Sequence, residues 1–169
     1  MKKVLLVIIF LFTCANIYGS ELGEIRRVQS DAKRVIMAAY NFDKESTLEL
    51  THPIVIELIG GRESMEQFLD IYYQQLRSSN IKLLEFNFPN PPIFLESMKH
   101  EFVIIPTQSK VSVNDKIVES LNYQLGVRNI GNEKWHYIDG SQLNKKILLQ
   151  WFPDFPADVE LPNKEKKLL

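Results

Sequence analysis

Few side chains in this sequence have the type and setting for proton transfer or ligand capture. They are the carboxylates of Glu119 and Asp139, the imidazole of His52, and the aromatics Trp135, Tyr137 and Tyr123. Glu119 lies in KIVESLNYQLGV, residues 116–127. Its odd positions read Ile117, Glu119, Leu121, Tyr123, Leu125 and Val127, while the even ones are mostly polar. Alternate side chains of a strand share a face, so Glu119 is expected among apolar neighbours. Desolvation there disfavours the charged carboxylate and raises its pKa, which suits a general base near neutrality. The plainer reading is a bulge that turns it outward, or Arg128 or a lysine that pairs it near a rim.

The stretch KWHYID, residues 134–139, puts Trp135, Tyr137 and Asp139 on one face and His136 and Ile138 on the other. Trp and Tyr join an apolar body to a polar tip, so they can wall a ligand cavity or simply fill a core. Asp139 precedes Gly140, and an aspartate there commonly bonds the backbone of its own turn. His52 sits at a bend, in LTHPIVIELIGGRES. It can act as acid or base near pH 7, or bond a nearby backbone group and pin the bend. The catalytic candidates are therefore Glu119, His52 and Asp139, and the ligand-binding candidates Trp135, Tyr137, Tyr123 and Glu119.

Other chemistries lack their signatures. His52, His100 and His136 show neither HxH nor HExxH spacing and no paired acidic cluster, so no metal is expected. His100 and His136 read as surface residues beside charged neighbours. LIGGRES lacks the Gly-Lys-Ser/Thr of a phosphate loop, and Ser64 lacks a nucleophile elbow. No cofactor is expected.

The elements that would position these residues follow from periodicity. Ile25, Val28, Ala32, Val35, Ile36 and Ala39 recur at helical spacing and predict a helix over 24–42. Ser46 or Thr47 can cap a second helix starting near Leu48. Pro53 ends it near Thr51 and suits the first turn of another helix, although IVIEL is rich enough in β-branched residues for a short strand. Gly60 and Gly61 permit a sharp turn. A further helix over 62–79 should bury Met65, Phe68, Leu69, Tyr72 and Leu76. Strands are then expected at 81–88, 100–107, 109–113, 116–127 and 134–139, with an edge or bulge at Pro106 and a hairpin turn at Asn114 and Asp115. SQLNKKILLQWF reads as a closing helix stopped by Pro153. In LLQWFPDFP, residues 148–156, Trp151, Phe152 and Phe155 either cap the core or meet a second subunit.

At 169 residues, with 45% apolar and 24% charged, the chain suits one globular domain. Its 20 basic and 21 acidic residues are well mixed, which gives no basic stripe for nucleic acid or an anionic membrane. MKK followed by VLLVIIFLF and then NIYGSE reads as a signal peptide over 1–20, cut near Gly19 or Ser20, too short to span a membrane. Taking Lys2 and Lys3 from the 20 basic residues leaves 18 against 21 acidic, a net charge of −3. Cys14 is the only cysteine and lies in that leader, so a mature chain would have no disulfide or thiol chemistry. A lipid anchor at Cys14 is the alternative to ordinary cleavage, though Phe12 and Thr13 suit it poorly. A single domain is expected over 21–162, with 163–169 as a flexible charged tail.

Two segments resemble a known family. LTHPIVIELIGGRESMEQFL is similar to the passage between the second and third helices of nuclear-transport-factor-2-like proteins. EKWHYIDGSQL is similar to the last strand and exit turn of their small exported members. The resemblance implies an α+β fold, with helices packed in a curved antiparallel sheet that forms a cone with an apolar cavity, plus a C-terminal helix. That superfamily holds polyketide cyclases, steroid isomerases, dehydratases and non-catalytic binding modules, so the fold does not fix a reaction. The carboxylate bases of the isomerase-type members have no residue-by-residue match here. The expectation is an exported, periplasmic or secreted, non-enzymatic module that binds a small apolar ligand or serves as an accessory. A homodimer through the outer face of the sheet is compatible with it. Neither nucleic-acid binding nor membrane insertion after cleavage is expected. The alternative is a cofactor-free isomerase, cyclase or dehydratase, with Glu119 or His52 as base and Tyr137 or Asp139 assisting.

Overall fold

The computed structural model describes the backbone from Lys2 to Leu169 and side chains from Glu21 onward. The expected leader, its cleavage site and Cys14 lie outside the residues whose side chains are described. Helix α1 (Lys2–Tyr40) buries Val28, Ala32 and Ala38, close to the expected stripe. Phe42 then takes a left-handed conformation (φ 59°) and Asp43 caps α2 (Lys44–Leu50), accepting from the Ser46 N–H at 3.0 Å. The cap lies upstream of the expected Ser46 or Thr47. The Thr47 hydroxyl is held instead by the Asp43 carbonyl and the Tyr73 hydroxyl, both at 2.8 Å.

His52 caps α3 (Pro53–Leu58), and Pro53 occupies its first turn. The helix prevails over the strand that IVIEL allowed, because cap and proline together fix the first turn. Gly60 and Gly61 both have positive φ (104° and 93°), which most L side chains avoid. They turn the chain into α4 (Arg62–Ser78), which buries Met65, Leu69, Tyr73 and Leu76 against α2. Phe68 and Tyr72, expected inside, are 48% and 37% exposed and stack on each other at 6.2 Å. They lie one residue round the helix from the buried stripe.

The second half forms a six-stranded antiparallel sheet, so the fold class is α+β. Strands β3 (His100–Val113) and β4 (Lys116–Asn129) make its long central hairpin, turned at Asn114 and Asp115, both with positive φ. One edge of β3 carries β1 (Lys82–Asn87) and β2 (Ile93–Glu96) in tandem. Pro106 interrupts nothing, because it falls between Ile104, paired with β2, and Gln108, paired with β1. No edge partner there needs its missing N–H. One edge of β4 likewise carries β5 (His136–Asp139) and β6 (Glu165–Leu168). The segment expected as a charged tail thus contributes a strand.

Both faces of the β3–β4 root are buried. On the α1 face Val103, Ile105, Trp135 and Tyr137 pack with Val28, Ala32 and Leu50. On the other face Phe102, Ile104, Tyr123, Leu125 and Val127 pack with Leu148, Phe152 and Phe155. A short 3₁₀ turn (Gly140–Gln142) leads to α5 (Lys145–Trp151), capped by Asn144, and Phe152 and Phe155 close that second core. Among the described residues no helix is long and apolar enough to cross a membrane.

Candidate functional site

The two cores divide the sequence candidates. Trp135 and Tyr137 lie on the α1 face, and their polar tips are used by α1 itself. Trp135 Nε1 donates to Glu24 at 2.8 Å, and the Tyr137 hydroxyl donates to Asp31 at 3.4 Å. Burial, then the Asp31 charge, pushes that hydroxyl's pKa up. Arg128 stacks over the Trp135 ring at 4.3 Å and pairs with Glu24 and Glu101 at 2.8 and 2.6 Å. These groups clamp α1 to the sheet.

Tyr123 lies on the α5 face, wholly buried, its hydroxyl without a partner. Burial and then the Asp139 charge push it up to about 12. Glu119 shares that face by alternation but sits far out on the β4 arm, half-buried, accepting from Gln108 Nε2 at 3.1 Å. Eight residues of strand, ~26 Å at the usual rise, separate it from Val127, which pairs with His136.

His52 lies near that inner end, and all three histidines of the chain meet there. The rings of His52 and His100 stand edge-on to Phe152 at 5.3 and 5.4 Å, and His136 lies 6.2 Å from His52. His100 and His136 are half-buried, not the surface residues expected, because His100 packs against Phe152 and His136 against His52. His52 Nδ1 accepts from the Ile54 N–H at 3.2 Å, so that nitrogen carries no proton. Burial, then His136 and His100, hold its pKa at about 4. His100 Nδ1 meets Asp154 at 3.0 Å. Burial opposes charge on Asp154, but hydrogen bonds from Ser97, His100 and the Lys99 N–H outweigh it and hold Asp154 at about 2. Among the described residues no group of three or more His, Cys, Asp or Glu is arranged to hold a metal.

A different cluster has unused chemistry. Asn122 and Gln124, even positions of β4, fall on the α1 face with Ile105 and Tyr137. Gln124 is only 3% exposed, and its Oε1 has no hydrogen-bond partner. Asn122 Nδ2 donates to Asp139 Oδ1 at 3.0 Å, which leaves Asn122 Oδ1 buried and unpartnered as well. Asp139 Oδ1 also accepts from the Ser141 N–H at 2.6 Å, so the turn role expected for Asp139 is present. Tyr40 at the end of α1 and Tyr72 on α4 feel the same carboxylate. Burial, then Tyr72 and Asp139, raises Tyr40, while burial, then Asp139 and Tyr73, raises Tyr72. Asn122 and Gln124 belong to the mostly polar even face of β4, which alternation alone assigns to solvent, so no sequence signal marked this cluster. Further out, Glu85, Asn87, Gln108, Ser109 and Lys110 line a hollow of about 30 Å³, too small for an organic ligand.

No protein-family model matches the chain, and searches of curated proteins and of solved structures return no match.

Proposed function

We propose that the chain is an exported, non-catalytic module that binds a small ligand on the α1 face of its sheet. The ligand would lie against the inner end of β4, where Asn122 and Gln124 face α1. The observation that carries this reading is the pair of buried, unpartnered amide oxygens on Asn122 and Gln124. A buried acceptor without a donor costs about 1–3 kcal/mol, so a site that completes itself with a ligand explains why such groups are kept. A catalytic reading draws no support from its candidates: Glu119 and His52 lie near opposite ends of β4, and the side chains of Asp139 and Tyr137 lie on the other face of the sheet. The test is a thermal-shift screen of small hydrogen-bond donors with apolar bodies, since a ligand bound only to the folded state raises the melting temperature. A hit whose shift is lost in Gln124→Leu supports the reading. Hits insensitive to that substitution, or an empty screen, overturn it.

A further inference from the structure

We propose that this ligand is an organic cation, a primary amine on an aromatic or apolar body, with its ammonium held by Asn122, Gln124 and Asp139. The inference rests on the binding reading above and adds the ligand's chemical class.

The buried amide atoms left without a partner on this face are acceptors. Asn122 Oδ1 and Gln124 Oε1 are unpartnered. Asp139 receives both its bonds at Oδ1, from Asn122 and from Ser141, so among the described residues Oδ2 accepts none. An ammonium has three donors and no acceptor, the complement of three free oxygens. An anionic ligand would meet the exposed carboxylate of Asp139 and two amide oxygens, all of which repel it.

Among the described residues Asp139 also forms no ion pair, its carboxylate meeting only Asn122 and the Ser141 N–H. Its charge acts on Tyr40, Tyr72 and Tyr123 in the same upward sense, and no lysine or arginine offsets it at any of the three. Lys164, which reaches the turn after Asp139, has its ammonium committed to the carbonyls of Gly140, Ser141 and Leu143 at 3.2, 3.1 and 2.7 Å. Arg34 and Arg77, on α1 and α4, are engaged elsewhere, with Glu49 and over the Phe42 ring. Tyr72, stacked on Phe68 and still 37% exposed, adds an aromatic face with open surface. Such a face attracts both an apolar body and a cation.

Three phenols of similar size, differing only in charge, separate the possibilities: tyramine, 4-ethylphenol and 4-hydroxyphenylacetate. Each is titrated calorimetrically into the full chain at pH 7. The expected result is tyramine binding at least tenfold more tightly than the other two. Asp139→Asn keeps a side-chain cap for the turn and should remove that tenfold advantage while leaving 4-ethylphenol unchanged. Equal affinity for all three, or preference for the acid, overturns the cation assignment and leaves the binding reading standing. Binding of none of the three, beside a Gln124-sensitive hit from the screen, overturns the assignment in the same way. A tyramine preference that survives Asp139→Asn overturns it as well.

Discussion

Gln124 and Gly140 show how far single positions on β4 and its neighbour are determined by packing. Gln124→Met keeps the length of the side chain and removes the amide, and with it the unpaired oxygen. The unliganded protein should gain about 1 kcal/mol in urea unfolding, because replacing an unsatisfied buried group by an apolar one of similar shape removes its desolvation cost. The same variant should lose ligand affinity, so stability and binding move in opposite directions. A loss of stability would mean that the amide is satisfied in solution. At Gly140 an added Cβ would lie 2.5 Å from the Tyr123 backbone carbonyl and 2.7 Å from its ring. Backbone cannot step aside as a flexible side chain can, so Gly140→Ala should cost about 2 kcal/mol in the same assay. Gly23, with nothing within 4 Å of its added Cβ, is the contrast. Gly23→Ala in α1 should gain up to about 1 kcal/mol from helix propensity alone.

The short helix α3 makes a prediction that belongs to an element. Its cap is a histidine that must stay neutral, since Nδ1 accepts the Ile54 N–H. A proton there would remove the cap and place a cation at a helix N-terminus, both unfavourable. His52 is held at about 4 in the folded chain against an ordinary 6.5. Between those values the unfolded chain binds the proton that the native chain refuses. Stability is therefore full above pH 6.5, falls as pH drops toward 4, and levels off below. His136, also lowered, adds in the same sense, while Asp154 loses its contribution only as pH falls from 3.8 toward 2. Urea unfolding at pH 7, 5.5 and 4.5 should show the decline, and His52→Asn, which keeps a cap, should shrink it by about 2 kcal/mol. An unchanged slope would contradict the neutral cap. The bend, the proline and the histidine were all legible in the sequence, and so was the capping alternative to catalysis. The gathering of His52, His100 and His136 was not, because residues 48 and 36 positions apart share no periodicity; Phe152 joins His52 to His100, and His136 meets His52 directly.

At the scale of the molecule, the sheet is a wall shared by two cores, and this explains which parts of the sequence could be read. Period two placed strands at 81–88, 100–107, 109–113 and 116–127, of which the middle two are one continuous strand, but it implies one wet face, and the run from Phe102 to Thr107 is buried on both. Glu119 kept its expected face yet not its depth, because the hairpin arm projects beyond the helices and Ile117 beside it is 38% exposed. β2 and β6 are four-residue edge strands whose pairing comes from neighbours distant in sequence, so neither carried a local signal. Because β3 and β4 contribute to both cores, damage to one should unfold the other. The two tryptophans make this measurable: Trp135 lies in the α1-face core, and Trp151 packs against the other. In a Trp151→Phe background, Trp135 alone reports the α1 face. Phe152→Ala removes a ring from the opposite core, at an expected cost of about 3–4 kcal/mol. If the wall is one cooperative unit, Trp135 fluorescence and far-ultraviolet circular dichroism should shift to the same lower urea midpoint. A Trp135 transition that stays at the parent midpoint while the ellipticity falls earlier would show two independently melting halves.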